Sequence, residues 1–345
     1  MIGRRPREGT IVVQTAYLGN VVLTTPLLTA LSTRYGPVDV VAQPVSAQVL
    51  EGHPAVREVL PYDKRHADRG WAGVRRLARQ IRKRAYARAY LPDPSWRAAS
   101  LVFAARVPER VGFSQSPAAK LYSAKVLRPL HGPECARIAA LAGIPVGDPL
   151  PPVWLGLAGE DRERATAMLN EWGIRDFVAF APGSVWGARR WPYFAELAAA
   201  LDRPVVVIGG PHDAPLVEAV ISGAPDRVRS AVGAAPRVSA ALIERALAIV
   251  TNDCAALHLA TAVGTPVVAL FGPTTAALGF GPLGADDVVL GQDELLCRPC
   301  AQPGPAVCPL EHHRCMRELD VGRVADALGS LIRRVEGRRA IRAGG

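Results

Sequence analysis

Residues 247–274 read LAIVTNDCAALHLATAVGTPVVALFGPT. A short β-branched run leads into Asn252 and Asp253, a helical segment carries His258, a turn contains Gly264, and a second β-branched run ends in FGPT. Continuous Val and Ile runs are typical of strands buried on both faces, and a helix between two such strands forms a right-handed crossover. The stretch therefore predicts neighbouring parallel strands whose polar ends lie side by side.

The same alternation of strand and helix runs along the chain. Strands are predicted within TIVVQ, VDVVA, ARAYL, FVAFA, PVVVIGG, AIVTN and PVVALFG, and helices within HGPECARIAALAG, GEDRERATAMLNEWG and WPYFAELAAAL. Residues 143–159 are rich in proline and glycine, which suits a linker, and 345 residues exceed the usual size of one core. We predict an α/β protein of two doubly wound, Rossmann-like domains that face a cleft. The predicted parts are an N-terminal domain over 1–155, a C-terminal domain over 156–335 that ends in a helix at about 320–334, and a loose basic tail over 336–345.

The composition, with 49% hydrophobic and 21% charged residues, indicates a globular protein. No apolar run approaches the roughly 20 residues of a membrane span, and no apolar segment follows the charged start, so we expect a cytoplasmic protein without a signal peptide. The net charge is +10, and between Lys64 and Arg88 a single acid, Asp68, stands among many basic residues. This basic stretch favours an anionic partner such as nucleic acid, a phosphorylated glycolipid or membrane headgroups, although a solvated helix face explains it equally well. Its aromatic residues are too sparse for a stacking platform, so we expect no nucleic-acid partner.

A second informative segment is FAPGSVWGARRWPYFAELAAAL, in which a strand ends before a loop and Pro192 opens a helix. Ser184, Arg189 and Arg190 thus lie at a strand end beside a helix N-terminus, which suits a phosphate or pyrophosphate. The alternative is that both arginines are ordinary surface residues. In VVVIGGPHD, Asp213 follows a strand and two glycines, and it is a candidate acceptor for ribose hydroxyls.

The polar residues of segment 247–274 also allow a purely structural interpretation. Asp253 precedes a helix, where Asp most often serves as a cap, and His258 would then be a structural histidine one turn further on. The chain contains no GxGxxG fingerprint with a downstream acid and no GxxxxGK[ST] motif, so ordinary dinucleotide and P-loop sites are disfavoured.

Near the start of the chain, residues 17–31 read YLGNVVLTTPLLTAL and place Asn20 after the strand TIVVQ. Thr25 and Pro26 form the signature of a cap followed by the first helical residue, which predicts that the main helix begins there and leaves Asn20 in a loop. A role for Asn20 as the N-cap of an earlier helix is the alternative.

Near the end of the chain, CRPCAQPGPAVCPLEHHRCM carries four cysteines with the spacing C-x2-C-x7-C-x6-C. Four thiolates in a loop-rich segment are typical of a structural zinc site, and a reducing cytoplasm argues against disulfides. The alternatives are an iron–sulfur cluster, two disulfides or unpaired thiols, with His312 and His313 as further candidate ligands. The predicted zinc ligands are Cys297, Cys300, Cys308 and Cys315.

Four segments, LGNVVLTTPLL, PGSVWGARRWP, TNDCAALHLATAVGTPVVALFGPT and the cysteine segment, occur in this order. Together they resemble the bacterial ADP-heptose:lipopolysaccharide heptosyltransferases of glycosyltransferase family 9, near the heptosyltransferase II branch, over residues 10–331. The resemblance implies a GT-B fold of two Rossmann-like domains, of which the C-terminal one holds most of the sugar nucleotide. It also implies an inverting transfer of heptose from ADP-heptose, or a similar nucleotide sugar, to the inner core of a lipid A-linked acceptor. The resemblance further implies that the reaction needs no cofactor and that the enzyme acts peripherally at the inner face of the cytoplasmic membrane.

The resemblance also implies site residues. Ser184 and Arg189 match positions that contact the donor diphosphate, where lysine is commoner than Arg189, while Cys254 stands at a usual Ser or Thr and Ala255 at a frequent Gly. A thiol is a weaker hydrogen-bond donor than a hydroxyl, although backbone contacts at that position are unaffected. The predicted substrate-binding residues are Gly19, Ser184, Arg189, Arg190, Asp213, Asp253, Cys254, Ala255 and His258.

Asn20 aligns with the Asp of a Gly-Asp turn that is the proposed catalytic base in the family. An amide has no proton acceptor that titrates near neutral pH, so Asn20 occupies the catalytic position without being a base. Three interpretations remain open: a slowed enzyme or catalytically impaired sugar-nucleotide-binding homologue, an enzyme that uses another base, or an Asp-to-Asn variant that traps substrate.

Overall fold

The computed structural model describes residues 7–300 and 305–343. The chain divides into two compact units, Met1–Gly156 and Leu157–Gly345. Each unit is built around a six-stranded sheet in which every neighbouring pair of strands is parallel. Within the described residues, no helix combines the length and the apolar composition that a membrane crossing requires.

The first unit has the strand order β3-β2-β1-β4-β5-β6. Its strands are β1 Thr10–Val13, β2 Val38–Ala42, β3 Val56–Pro61, β4 Arg88–Leu91, β5 Glu109–Phe113 and β6 Ala124–Val126. Its α-helices are α1 Leu18–Tyr35, α2 Pro44–Ala47, α3 Gly70–Arg84, α4 Trp96–Ala104 and α5 Glu134–Ala139, and short 3-10 helices cover Gln48–Leu50, Ala119–Leu121 and Ala140–Ala142. The chain moves outward in one direction from β1 and in the other from β4, so the strand order reverses between these two neighbours.

The second unit repeats this arrangement with the order β12-β11-β10-β7-β8-β9, and its reversal lies between β7 and β10. Its strands are β7 Val178–Ala181, β8 Val205–Val207, β9 Val228–Ser230, β10 Ile249–Asn252, β11 Val267–Phe271 and β12 Val288–Gly291. Its α-helices are α6 Gly159–Glu171, α7 Phe194–Ala200, α8 Ala214–Gly223, α9 Pro236–Arg245, α10 Ala255–Val263, α11 Arg314–Arg317 and α12 Val321–Ala343. Short 3-10 helices cover Gly187–Arg189, Pro211–Asp213 and Ala276–Leu278.

The core of each unit lies between its sheet and the covering helices. The strands β1, β2, β7, β8, β10 and β11 are buried along their whole length, as their continuous β-branched runs predict. In the second unit Phe180, Phe194 and Trp191 pack edge to face, and the Trp191 indole donates to the Leu319 carbonyl at 2.9 Å. This contact joins the start of α7 to the segment before α12.

The prediction that the first helix begins at Thr25 and Pro26 is wrong. Helix α1 begins at Leu18, so Pro26 lies inside it and Asn20 lies in its first turn. Pro26 has no N–H to donate to the carbonyl of Val22, and the Thr25 hydroxyl donates to that carbonyl instead, at 2.7 Å. Tyr17 occupies the N-cap position, so Asn20 is not the cap either.

The end of the chain also differs from expectation. The predicted loose tail from residue 336 is helical as far as Ala343, and residues 344–345 lie outside the described residues. Two ion pairs hold this extension, one between Glu336 and Arg203 at 2.9 Å and one between Arg338 and Asp286 at 2.6 Å. The four residues Val324, Leu328, Leu331 and Ile332 bury the inner face of α12.

Replacement of Thr25 by valine should lower the free energy of unfolding by about 1–3 kcal/mol. The Thr25 hydroxyl is buried, donates to Val22 and accepts the backbone N–H of Trp154 at 2.9 Å, so valine leaves two buried backbone groups without a partner. Thr33→Val is the matched control, because the Thr33 hydroxyl donates to the Thr29 carbonyl on the exposed face of the same helix. Urea unfolding of both variants measures the difference, and equal losses would contradict this account.

Candidate functional site

Four polar residues follow neighbouring strands at the carboxyl edge of the second sheet. Ser184 comes after β7, Asp213 after β8, Asp253 after β10 and Thr274 after β11. Open α/β sheets bind ligands outside the carboxyl ends of their strands, at the point where strand order reverses. Ser184 and Asp253 follow the two strands that flank this reversal.

Asp253 is the most heavily bonded of these residues. Its Oδ2 lies 2.8 Å from Nη1 of Arg189 and accepts the Thr274 hydroxyl at 2.7 Å, while its backbone carbonyl accepts a second bond from Arg189 at 3.2 Å. Only 6% of the Asp253 side chain is exposed, and burial raises the pKa of its carboxyl against the opposing effects of Arg189 and Thr274. The alternative that Asp253 caps the following helix is wrong, because Cys254 occupies the N-cap position of α10.

Ser184 and Arg190 belong to the loop after β7. The guanidinium of Arg190 donates twice to the Ser184 carbonyl, at 2.9 and 2.7 Å, and the Ser184 hydroxyl lies 3.5 Å from the Asp253 carbonyl. Asn252, the last residue of β10, fixes the same loop, since it accepts the backbone N–H of Trp191 at 3.1 Å and donates to the Pro182 carbonyl at 2.8 Å. The predicted Ser184, Arg189 and Asp253 therefore lie together, in a loop that Asn252 and Arg190 hold in place.

Asp213 approaches the same loop from the end of β8. A Cβ built on Gly183 would overlap the Asp213 carboxylate, so a larger residue at 183 would require the Asp213 side chain to move. The carboxylate also accepts the backbone N–H of Gly210 at 2.9 Å, which closes the turn after β8. Asp213 thus lies beside the Pro182–Gly183–Ser184 turn, although a separate stretch of sequence supplies it.

Cys254, Ala255 and His258 form the first part of α10 and its cap. The sulfur of Cys254 lies 3.3 Å from the Thr251 hydroxyl, and both Cys254 and Ala255 are half-buried. His258 is 5% exposed, its Nδ1 has no hydrogen-bond partner among the described residues, and its ring lies 6.2 Å from that of Phe280. Burial, assisted by the charge of Arg189, lowers the pKa of His258 to about 4, so this imidazole is neutral near pH 7.

Gly19 and Asn20 lie at the other predicted position, in the first turn of α1 in the first unit. Gly19 is buried and Asn20 is half-buried, and the Asn20 carbonyl accepts the Thr24 hydroxyl at 2.7 Å. Thr24 in turn accepts a bond from Gln14 at 3.0 Å, so the turn is held by the residues that precede and follow it. The Asn20 side-chain amide forms no hydrogen bond with residues 7–300 or 305–343.

All four cysteines of the predicted metal site lie in described residues, while residues 301–304 of the same segment do not. The sulfur of Cys297 lies 4.0 Å from Nε2 of His312, whereas Nε2 of His313 donates to the Ala188 carbonyl at 2.7 Å. In the described part of the chain, no three His, Cys, Asp or Glu side chains are placed together as a metal ion requires. The zinc site stays a prediction.

The sequence of the whole chain was compared with known families and proteins. The sequence model of glycosyltransferase family 9 (heptosyltransferase) matches residues 74–308, which is more than half of the chain. The chain belongs to glycosyltransferase family 9. Among curated family 9 relatives, lipopolysaccharide heptosyltransferase 2 of Salmonella typhimurium is 29% identical over 77% of this chain and 83% of its own length. The Escherichia coli protein of the same name is 28% identical over the same shares.

Solved family 9 structures share the fold. The structure of the E. coli ADP-heptose lps heptosyltransferase II superposes with a TM-score of 0.77 at 24% identity, over 95% of this chain and 99% of that one. A family 9 glycosyl transferase from Veillonella parvula superposes with a TM-score of 0.81 at 23% identity, over 95% and 98%. These findings confirm the predicted family and the predicted α/β GT-B fold built from two Rossmann-like domains.

Thr274 also belongs to this group of residues, although it was not among the predicted site residues. It closes the FGPT segment three residues after β11, and β11 is the sheet neighbour of β10. The available signal was a hydroxyl residue in the short segment after a buried strand, at the same edge as Asp253.

Replacement of His258 by glutamine should reduce the loss of stability on acidification. A histidine with a lowered folded-state pKa stays neutral in the folded protein, whereas the unfolded chain takes up a proton below about pH 6.5. Stability from this group is therefore complete above pH 6.5 and is lost as the pH falls toward 4. The loss amounts to about 2 kcal/mol at pH 5.

Urea unfolding at pH 7 and pH 5 measures this effect, and His131→Gln at an exposed histidine is the control. The control should keep the pH dependence of the native protein. The same pH dependence in His258→Gln would contradict a neutral, buried His258.

Proposed function

We propose that this chain is an inverting glycosyltransferase that moves heptose from ADP-heptose, or a similar nucleotide sugar, to the inner core of a lipid A-linked acceptor. Family membership supports the reaction class, and the related Salmonella and E. coli proteins carry the name lipopolysaccharide heptosyltransferase 2. The observation that carries the proposal is the buried Arg189–Asp253 pair beside Ser184, at the reversal of strand order in the second sheet. A cation held at that edge matches the diphosphate of a sugar nucleotide.

The diphosphate is the leaving group, so negative charge develops on it as the bond to the sugar breaks. Arg189 supplies a positive charge close to Ser184, and Asp253 holds the guanidinium in one orientation. The first backbone N–H groups of α10, at Ala255 and Ala256, add the positive end of a helix dipole. Because these groups are fixed before the reaction, they stabilise the departing charge without reorganising. Asp213, beside the same turn, is the proposed partner of the ribose hydroxyls.

Asn20 orients the acceptor hydroxyl in this scheme and does not remove its proton. Its amide is half-buried in the first turn of α1, where an Nδ2–H or the Oδ1 atom can bind a hydroxyl. A sugar-nucleotide-binding protein without transfer activity is the second candidate function, because the residue at the family's base position is not a base.

Arg189→Met should abolish the thermal stabilisation by ADP and lower the transfer rate by about 100-fold or more, since the variant leaves the departing diphosphate without its cation. Arg189→Lys should retain part of both, because it restores the charge without the planar fork. Arg175→Met is the matched control, because Arg175 is exposed and precedes β7. It therefore lies at the amino ends of the strands of the same sheet, away from the carboxyl ends that carry Arg189.

The measurements are thermal melting with ADP and transfer of heptose from ADP-heptose to a heptose-acceptor lipid. Native turnover supports the transferase, and ADP binding without turnover supports the second candidate. The absence of both would contradict the proposed function.

The basic face of α3 is the proposed contact with phosphorylated lipid and with the anionic inner face of the cytoplasmic membrane. Val74, Leu77 and Ile81 bury one side of the helix, while the opposite side carries the basic face, which we define as Arg75, Arg79 and Arg82. None of these three forms an ion pair with a described residue, whereas Arg76 pairs with Asp68 and Arg84 with Glu58. The exposed Trp71 one turn earlier adds an aromatic ring of the kind that anchors at membrane interfaces.

Replacement of Arg75, Arg79 and Arg82 by glutamate should weaken binding to vesicles that contain anionic lipid by at least about tenfold, because each basic residue near such a surface contributes about 1 kcal/mol. The difference should shrink in high salt. A triple Arg-to-Glu control at the exposed positions 164, 175 and 245 makes the same charge change in the second unit. Vesicle sedimentation measures the binding of both triple variants. An equal loss of binding in the control would show that net charge, and not the basic face of α3, causes the effect.

A further inference from the structure

The first sheet has the same strand order as the second, and its reversal lies between β1 and β4. Two polar residues follow these strands at the carboxyl edge: Thr15, two residues after β1 ends, and Asp93, two residues after β4 ends. The pairing of Val12 with Tyr90 continues to Thr15 and Asp93 at the same offset of 78 residues. Asp93 therefore occupies the place in the first sheet that Asp253 occupies in the second.

Asp93 is fixed and half-buried at this edge. Its Oδ2 accepts the Thr15 hydroxyl at 3.0 Å, and part of the side chain remains exposed. Burial raises the pKa of the Asp93 carboxyl, while Lys64, Thr15 and the backbone N–H of Ser95 act in the opposite direction. A carboxylate with a raised pKa binds a proton more strongly than an ordinary surface aspartate.

The groups that face Asp93 come from several segments. Lys64 lies on the loop after β3, and burial lowers the pKa of its ammonium group despite the attraction of Asp93. Arg97 of α4 donates to the Lys64 carbonyl at 3.2 Å, and the hydroxyl of Tyr122, whose pKa burial raises, also senses the charge of Asp93. Lys64 is thus the cation whose charge acts on Asp93, and Asp93 forms no ion pair with a described residue.

Five other acids of the first unit differ in this respect, because each is paired with an arginine. The pairs are Asp39 with Arg57, Asp68 with Arg76, Glu58 with Arg84, Glu109 with Arg88, and Glu134 with Arg128. A bound guanidinium stabilises the carboxylate and makes it a poorer proton acceptor. Asp93 combines the position of a ligand-binding edge with a carboxylate that no arginine holds.

We infer that Asp93 is the general base of the transfer reaction and takes the proton that Asn20 cannot accept. The inference rests on the proposed transferase function. The acceptor oxygen forms a bond to the anomeric carbon of the sugar, the bond from that carbon to the diphosphate oxygen breaks, and its electron pair leaves with ADP. The acceptor proton passes to the Asp93 carboxylate and from there to solvent. Asn20, in the helix that follows Thr15, orients the same hydroxyl.

The first test is Asp93→Asn, assayed with ADP-heptose and a heptose-acceptor lipid across pH 5 to 9. Loss of a general base should lower the transfer rate by about 10²–10⁴-fold and remove the fall in rate at acid pH. Thermal stabilisation by ADP should stay unchanged, because the proposed donor residues lie in the second unit. The double variant Asn20→Asp with Asp93→Asn should recover activity, because it places a carboxylate at the position of the family's proposed base. Glu109→Gln, at the amino end of β5, is the control for the loss of one negative charge and should remain fully active.

Thr15→Val provides an independent test of the general base if Asp93→Asn lowers the melting temperature. The Thr15 hydroxyl stabilises the carboxylate and lowers its pKa, so valine should shift the acid limb of the rate profile to higher pH. An active native protein whose rate and acid limb are unchanged in both variants would overturn the assignment of Asp93. A native protein that binds ADP and never transfers heptose would instead overturn the transferase function itself, so the two failures are distinguishable.

Discussion

The buried ion pair between Arg189 and Asp253 is the interaction on which the second unit's ligand edge depends. Asp253 continues β10 and Arg189 ends the loop after β7, so the pair joins two strand ends that the chain reaches through separate crossovers. Two charges removed from water are tolerated only when each is paired and its remaining atoms are bonded, and loss of one partner in such a pair costs about 3–5 kcal/mol. Thr274 supplies the additional bond to the same carboxylate. The fold of the sheet therefore fixes the position of the Arg189 guanidinium, which a surface arginine would not share.

The two sheets have equivalent strand orders but carry different polar residues at their carboxyl edges. In both, the order reverses between the first and fourth strands of the unit, and polar residues occupy the carboxyl ends beside the reversal. The second sheet presents a cation held by a carboxylate, which suits an anionic leaving group. Among the described residues, the first presents a carboxylate bonded by a hydroxyl and a backbone N–H and attracted by the charge of a lysine, which suits a group that loses a proton. A shared architecture can carry opposite roles because the edge residues, and not the core, define the chemistry.

The central strands were predictable because burial on both faces leaves a continuous β-branched run. All seven predicted strand segments contain a strand, whereas β3, β5, β6, β9 and β12 were not predicted. Strands β3, β6 and β9 are short or carry charged residues, and they lie at or near the edge of a sheet, so their runs are not continuously apolar. The start of α1 was misjudged for a related reason. A threonine before a proline normally marks a helix start. Here the Thr25 hydroxyl lies inside a longer helix and donates to the Val22 carbonyl, which Pro26 cannot reach with an N–H.

The residues of the candidate site likewise divide into those that the sequence predicted and those that it did not. Ser184, Arg189, Asp213 and Asp253 were predictable because each lies in the polar segment that follows an apolar run. Thr274 and Asp93 were missed, because their importance comes from the strands beside them in the sheet, which lie far away in sequence. Sequence patterns identify strand ends, while only the order of strands shows which ends meet.

The contact between Gly183 and Asp213 has a consequence for how this site can vary. The space that a side chain at 183 would need is filled by the carboxylate at 213, so the two positions compete for one volume. An alanine or serine at 183 would displace the acid at 213 from its present position, whereas a shorter residue at 213 would leave room for such a side chain. The two loops come from different crossovers, so a substitution in one changes the space available to the other. Variation in the turn after β7 is therefore coupled to variation in the turn after β8.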